Sequence, residues 1–183
     1  EEECKKLGMT FVSLNAPDPM NEGGLPATQQ FVLEDVPRRV KEFGKGTAFF
    51  STNCGMQDPL IKSVLNTGAY FPEQCCPSPT HGYVTALGIS VPEEKAGDMA
   101  FINEQNRAAI TSHGMSGHFA TWPVPLTMLS IEVVADLLLD AQAGKVDHKD
   151  PAVLKSYFEK AAGVPVTVAK YDPASGNSYL LLL

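Results

Sequence analysis

The stretch that decides the predicted fold covers residues 49–68 and reads FFSTNCGMQDPLIKSVLNTG. A short apolar run ends in polar residues, and apolar residues then recur at helical spacing. A glycine ends that helical pattern. The order of strand, loop and helix is typical of the βα units that build a parallel sheet. Cys54 lies in the loop, so it is either a nucleophile at an active site or one wall of a binding pocket.

Apolar runs and amphipathic segments alternate along the rest of the chain in the same way. The predicted strands cover residues 9–15, 47–52, 69–75, 81–89, 118–122, 164–169 and 179–183. The predicted helices cover residues 1–7, 27–43, 56–65, 97–112 and 126–143. The last helix is apolar on most sides, so we expect it to be buried. The predicted fold class is α/β, a three-layer α/β sandwich with a mainly parallel sheet.

Composition excludes several classes of partner. The chain has 183 residues, enough for one substantial domain, and a net charge of -7. Its lysines and arginines are scattered, so we expect no nucleic-acid partner. No apolar run approaches the ~18 residues that span a bilayer. The opening residues, EEEC, lack the basic start and apolar middle of a signal peptide.

The predicted sheet indicates where a ligand would bind. In open parallel sheets, ligands bind beyond the carboxyl ends of the strands. This rule selects polar residues and one large aromatic ring with few charges, which suits a small polar ligand. No glycine-rich nucleotide motif is present, and we expect no cofactor. The predicted ligand-binding residues are Asn15, Asp18, Thr52, Asn53, Cys54, Gln57, Cys75, Cys76, Ser78, His81, Thr121 and Trp122.

The cysteines allow several roles. A helix N-terminus could activate Cys54 as a thiolate, although a half-buried apolar thiol is the more common state of a free cysteine. A ring closed between the adjacent Cys75 and Cys76 is strained, so Cys54 is the expected partner if either forms a disulfide. A metal site that also uses His81 is an alternative, but packing or a disulfide is favoured and no metal is predicted. Trp122 either stacks on a ligand or fills a gap between layers.

Four segments carry a resemblance to a known family. They are LGMTFVSLNAPDP, QQFVLEDVPRRVKEFGKGTAFFSTNCGMQDPLIKSVLNTGA, CCPSPTHGY and FATWPVP. They resemble a family of bacterial lipoproteins known as a domain of unknown function, which itself resembles type 1 periplasmic solute-binding proteins. The likeness covers residues 3–145, with a weaker tail to residue 183.

The resemblance implies a fold of two lobes with the ligand in the cleft between them. By this likeness residues 1–117 form an α/β lobe and the chain begins inside the second lobe. Residues 118–147 would be a return crossing and a long helix that packs on a missing first lobe, and residues 148–183 would return to the α/β lobe. The likeness also implies an extracytoplasmic location, with a lipid anchor outside this chain as the contact with the membrane.

The expected function is therefore binding of a small polar solute for transport or sensing, without catalysis, with a membrane permease or a sensor as partner. The alternative is a cysteine-dependent enzyme. The sequence STNCG resembles cofactor-independent amino-acid racemases, which would use Cys54 with Cys75 or Cys76. A third hypothesis is a regulatory ligand-binding module, because the same fold serves in receptors and repressors.

Overall fold

A computed structural model describes residues 1–171, 174 and 179–182. Two antiparallel strands and two short 3-10 turns, Cys54–Met56 and Glu93–Lys95, accompany the helices in this part of the chain. None of the described helices is both long and apolar enough to cross a bilayer. The elements are α1 (Glu2–Lys6), α2 (Gly24–Phe43), α3 (Gln57–Thr67), α4 (Tyr83–Ala86), α5 (Met99–Ser112), α6 (Leu126–Gln142), α7 (Pro151–Ala162), β1 (Thr167–Lys170) and β2 (Tyr179–Leu182).

Local sequence signals set most helix bounds. The side chain of Asp98 caps α5 by accepting a hydrogen bond from the backbone N–H of Phe101, 2.9 Å long. Gly68 ends α3 in the left-handed conformation that glycine adopts without strain. The helices predicted at 27–43, 56–65, 97–112 and 126–143 are confirmed as α2, α3, α5 and α6. Helix α7 was not predicted, although Asp150 caps it and a proline occupies its first turn.

The predicted fold class, a three-layer α/β sandwich resembling a lobe of a type 1 periplasmic binding protein, is wrong. The structure is mostly helical, and its regular strands are two four-residue segments that pair antiparallel. The predicted strands at 47–52, 69–75 and 118–122 do lie side by side. They are joined only by single parallel bridges, between Ala48 and Tyr70 and between Phe71 and Phe119.

Proline explains why these segments do not extend into strands. Pro72 directly follows the bridged Phe71, and Pro123 closes the third segment. Each proline removes a backbone donor, so a ladder cannot continue through it. The predicted strand at 9–15 is exposed and has no regular secondary structure, and the one at 81–89 contains α4 instead.

Buried side chains form two clusters. The first joins α2, α3 and α4 to the bridged segments, and Ile61, Val64 and Phe71 in it are fully buried. The second joins α6 to α7 through Leu129, Val133 and Phe158. The expectation that α6 would be buried all round is not met by the described residues. Its opposite face is exposed, with Met128 at 64%, Ile131 at 73%, Val134 at 45% and Leu138 at 52%.

Polar contacts also hold α6 against α7. Tyr157 donates a hydrogen bond of 2.6 Å from its hydroxyl to Oδ2 of Asp140. Lys145 forms an ion pair of 2.7 Å with the other oxygen of that carboxylate. The lysine and then the tyrosine hold the pKa of Asp140 below its usual value. The negative charge of Asp140 is therefore favoured in the folded state.

Candidate functional site

Four of the predicted site residues form one cluster, which we call the thiol cluster: Cys54, Cys75, Cys76 and Gln57. The three Sγ atoms lie within 4.8 Å of one another. The Sγ atoms of Cys54 and Cys75 are 3.4 Å apart, and none of the three cysteines is in a disulfide. Nε2 of the buried Gln57 donates a hydrogen bond of 3.1 Å to Sγ of Cys75. All three thiols are half-buried.

The backbone around the cluster explains this convergence. The side chain of Asn53 accepts a 2.8 Å hydrogen bond from the backbone N–H of Gly55 and so caps the 3-10 turn that carries Cys54. Gly82 packs directly on the first turn of α3 with a φ of +77°, where an added Cβ would lie 2.8 Å from the Cβ of Gln57. Glycine is the residue that can adopt this positive φ and also leave room for the Cβ of Gln57, because it has no Cβ of its own. This contact brings the segment containing Cys75 and Cys76 against the start of α3.

The environment of Cys54 argues against a thiolate nucleophile. Burial, followed by hydrogen bonds with Cys76 and Cys75, raises the pKa of Cys54 to about 12. At neutral pH this thiol is protonated, whereas a catalytic cysteine is made nucleophilic by a lowered pKa. The raised pKa of Cys54 therefore gives no support to a nucleophilic role for this residue in the racemase-like alternative.

A buried amide that the sequence analysis missed organises the neighbouring loop. Gln74 is 2% exposed, and its Oε1 accepts hydrogen bonds from the backbone N–H of Ser78, at 2.9 Å, and from the hydroxyl of Thr121. Its Nε2 donates to the carbonyl oxygen of His81 at 2.7 Å. Three predicted site residues are therefore held by one side chain. Gln74 falls inside the predicted strand at 69–75, directly after the charged Glu73, so no feature of the local sequence distinguishes it.

The other predicted residues lie elsewhere. Asn15 and Asp18 are exposed in the segment before α2, where a carboxylate oxygen of Asp18 accepts a hydrogen bond from the backbone N–H of Met20 and fixes a turn. Thr52 is exposed. Trp122 is 8% exposed, and its indole Nε1 is buried without a hydrogen-bond partner among the described residues. This burial favours gap filling over stacking on a ligand.

A cavity of about 400 Å³ lies beside α5, on the other side of Thr121. Arg107 is exposed at this cavity and forms no ion pair or hydrogen bond with any residue that the structure describes. Asn106 is buried, donating to the carbonyl oxygen of Pro79 at 2.7 Å while its Oδ1 has no partner. The lining residues are Tyr83, Asn103, Asn106, Arg107, Ile110, Thr111, Ser116, Gly117, Phe119, Ala120 and Thr121.

The cavity wall is largely polar. Amide and hydroxyl groups and one guanidinium line it, and none of its described lining residues is a carboxylic acid, a histidine or a cysteine. The phenol of Tyr83 donates a 2.9 Å hydrogen bond to the carbonyl oxygen of Ala120, and burial followed by the charge of Glu73 raises its pKa. The arrangement can bind a molecule with hydrogen-bonding groups and a negative charge.

Comparison of the sequence with known protein families identifies the family of this chain. A family model described as "Protein of unknown function (DUF3798)" matches residues 1–120. The chain belongs to the DUF3798 family. The matched residues include the thiol cluster, Gln74 and the whole cavity lining except Thr121. The expected membership of a domain of unknown function is thus confirmed.

Two similar proteins are each about twice as long as the match. An uncharacterized protein of Treponema pallidum (strain Nichols) is 26% identical over 114 residues, which is 62% of this chain and 50% of that protein. A crystal structure of a "Putative transcriptional regulator" from Clostridium difficile 630 has a TM-score of 0.82 and 26% identity. The match covers 99% of this chain and 52% of the Clostridium difficile chain. This chain therefore spans about half the length of either protein.

Proposed function

We propose that this DUF3798 chain is a small-molecule-binding module with a regulatory role, and that its ligand is a small polar anion bound in the cavity beside α5. The observation that carries the proposal is the guanidinium of Arg107, which has no ion-pair or hydrogen-bond partner among the described residues, at a cavity of about 400 Å³. Ligand sites of small molecules have volumes of about 300–1,000 Å³ and a few convergent polar groups. A guanidinium without a partner is well suited to a carboxylate or a phosphate.

The neighbouring groups favour recognition over catalysis. Asn103 donates its amide to the carbonyl oxygen of Pro123 at 2.8 Å, so its side chain is fixed before any ligand arrives. Thr121 links the cavity wall to the buried Gln74 and through it to the loop of Ser78 and His81. A ligand that contacts the wall would therefore act on a loop held by one hydrogen-bond network, as a sensing module requires.

The similarity to a protein described as a regulator supports a sensing role, while the net charge of -7 does not support direct nucleic-acid binding by this chain. The solute binding expected from the sequence remains part of this proposal. The extracytoplasmic location, the lipid anchor and the permease partner do not depend on the cavity and remain predictions.

Thermal unfolding with defined anions tests the proposal. The probes are L-glutamate, succinate, glucose 6-phosphate and inorganic phosphate, applied to the wild type, Arg107→Gln and Lys41→Gln. Lys41 is exposed on α2, so its variant loses the same charge away from the cavity. A ligand at ~100 times its Kd stabilises the folded state by ~2.7 kcal/mol, which raises the Tm.

We expect at least one of these anions to raise the Tm of the wild type and of Lys41→Gln, and to lose that effect in Arg107→Gln. An equal rise in the Arg107 variant would contradict the assignment of the site. No rise with any of the four anions would contradict an anion-binding function.

A further inference from the structure

The thiol cluster lies outside the cavity lining. It brings together three sulfur atoms, one more than a disulfide needs. Cys54 comes from the turn before α3, whereas Cys75 and Cys76 come from the segment that Gly82 packs against it. Thiolate sulfurs that bind one tetrahedral zinc ion at about 2.3 Å lie roughly 3.8 Å apart. The observed spacing, 3.4 Å for one pair and within 4.8 Å for all, brackets that value.

We propose that Cys54, Cys75 and Cys76 bind one zinc ion through their three sulfurs, with Gln57 as the outer partner of the site. Three soft sulfur donors select a thiophilic ion such as Zn²⁺ over Mg²⁺ or Ca²⁺, which prefer oxygen. The three thiols lose their protons to solvent when the ion binds, and no electron is transferred. A disulfide would use only two of the three sulfurs.

Gln57 supplies independent support for a ligand at this place. It is fully buried, and its Nε2 already donates to Sγ of Cys75. Such a hydrogen bond stabilises a metal-bound thiolate and orients it. The amide oxygen at the same end of the side chain is buried and has no hydrogen-bond partner among the residues that the structure describes, which is costly in a folded protein. It is available to accept a hydrogen bond from a water in the fourth coordination position.

The start of α3 adds a favourable field. Three thiolates and one divalent cation carry a net charge of about -1, and backbone N–H groups at a helix N-terminus stabilise negative charge. Asn53 fixes the turn that leads into α3, so the first cysteine is held before the ion arrives. The ion would tie residues 54, 75 and 76 together, fixing the contact between α3 and the following loop.

The test uses the full chain, purified in reductant, stripped with a chelator and then titrated with zinc. Native mass spectrometry counts bound zinc, and alkylation by iodoacetamide counts protected thiols. We expect one zinc ion per chain, protection of Cys54, Cys75 and Cys76, and continued reaction of Cys4, which lies on α1. Replacing zinc with Co²⁺ should give the sulfur-to-metal charge-transfer absorption of a thiolate site.

Matched variants identify the ligands. Cys76→Ser should bind zinc at least ~100-fold more weakly, and Gln57→Leu ~10–100-fold more weakly, as for the loss of an outer-shell partner. Cys4→Ser should bind like the wild type. Circular dichroism checks the fold, and the protection pattern of the wild type decides the matter if a variant does not fold.

Two results would overturn the proposal. The first is a chain that takes up no zinc, whether its thiols stay free or Cys54 and Cys75 form a disulfide. The second is equal zinc affinity in Cys76→Ser and Cys4→Ser. Neither result bears on anion binding beside α5, because the cavity lining contains none of these cysteines.

Discussion

Replacing Gln74 with methionine tests whether one buried amide holds the loop that joins the two sites. Methionine has nearly the same length, so the change removes the hydrogen bonds and leaves little cavity. The backbone N–H of Ser78 then loses its acceptor in a buried position, which costs ~1–3 kcal/mol. The half-buried His81 carbonyl and Thr121 hydroxyl also lose their partner, but water can reach them at a smaller cost. We expect Gln74→Met to lower the free energy of unfolding by ~2–4 kcal/mol.

Urea unfolding followed by tryptophan fluorescence measures this loss, because Trp122 is the only tryptophan and adjoins Thr121. Circular dichroism provides a second probe of the same transition. Gln30→Met is the matched control, since Gln30 is exposed on α2 and bonds only to Glu34 in the described structure. The control should stay within ~0.5 kcal/mol of the wild type. A Gln74→Met variant equally close to the wild type would refute the role of this amide.

Two further variants test the packing beside the thiol cluster and the contact between α6 and α7. Gly82→Ala should lower the free energy of unfolding by at least ~2 kcal/mol, because it combines an unfavourable φ of +77° with a new Cβ only 2.8 Å from the Cβ of Gln57. Gly88→Ala, with a φ of +65° and no atom within 4 Å of the new Cβ, should lose only ~1 kcal/mol. Equal losses in urea unfolding would contradict the close approach of α3. Tyr157→Phe should raise the pKa of Asp140 towards its usual value, because Lys145 then remains as its main partner. The folded-state pKa of Asp140 is lowered, so the stabilisation from this carboxylate is present at neutral pH and is lost as the pH falls through that pKa. Carbon-13 NMR titration of the Asp140 carboxyl measures the shift. An unchanged pKa in Tyr157→Phe would count against the hydrogen bond.

The helices were largely predictable because their signals are local. Apolar spacing located α2, α3, α5 and α6, and Gly68 marked the end of α3. Helix α7 carries an equally local signal in Asp150 and Pro151, which the charge-rich sequence before it obscured. Helix propensity and capping act within a few residues, so a reading of the chain finds them without knowledge of the fold.

The sheet was not predictable in the same way. Short apolar runs at 47–52, 69–75 and 118–122 look like parallel strands, and the structure does place them side by side. Whether such runs form a ladder depends on a continuous row of backbone donors from neighbouring chain segments, and prolines interrupt that row here. Composition alone shows that a run is apolar, but it does not show how many of the backbone N–H and C=O groups in that run have hydrogen-bond partners.

The candidate sites show the same division. The sequence by itself determined that Cys54 begins a helix-containing segment and that Cys75 and Cys76 follow an apolar run. It did not reveal Gln74 as the centre of a hydrogen-bond network, because a glutamine next to Glu73 has no local signature that separates it from an exposed one. Only the tertiary structure decided that three thiols meet at α3 and that Arg107 lies at a cavity with no partner in the described part of the chain. Both facts depend on distances between residues far apart in the chain, and those distances follow from packing and not from any short stretch of sequence.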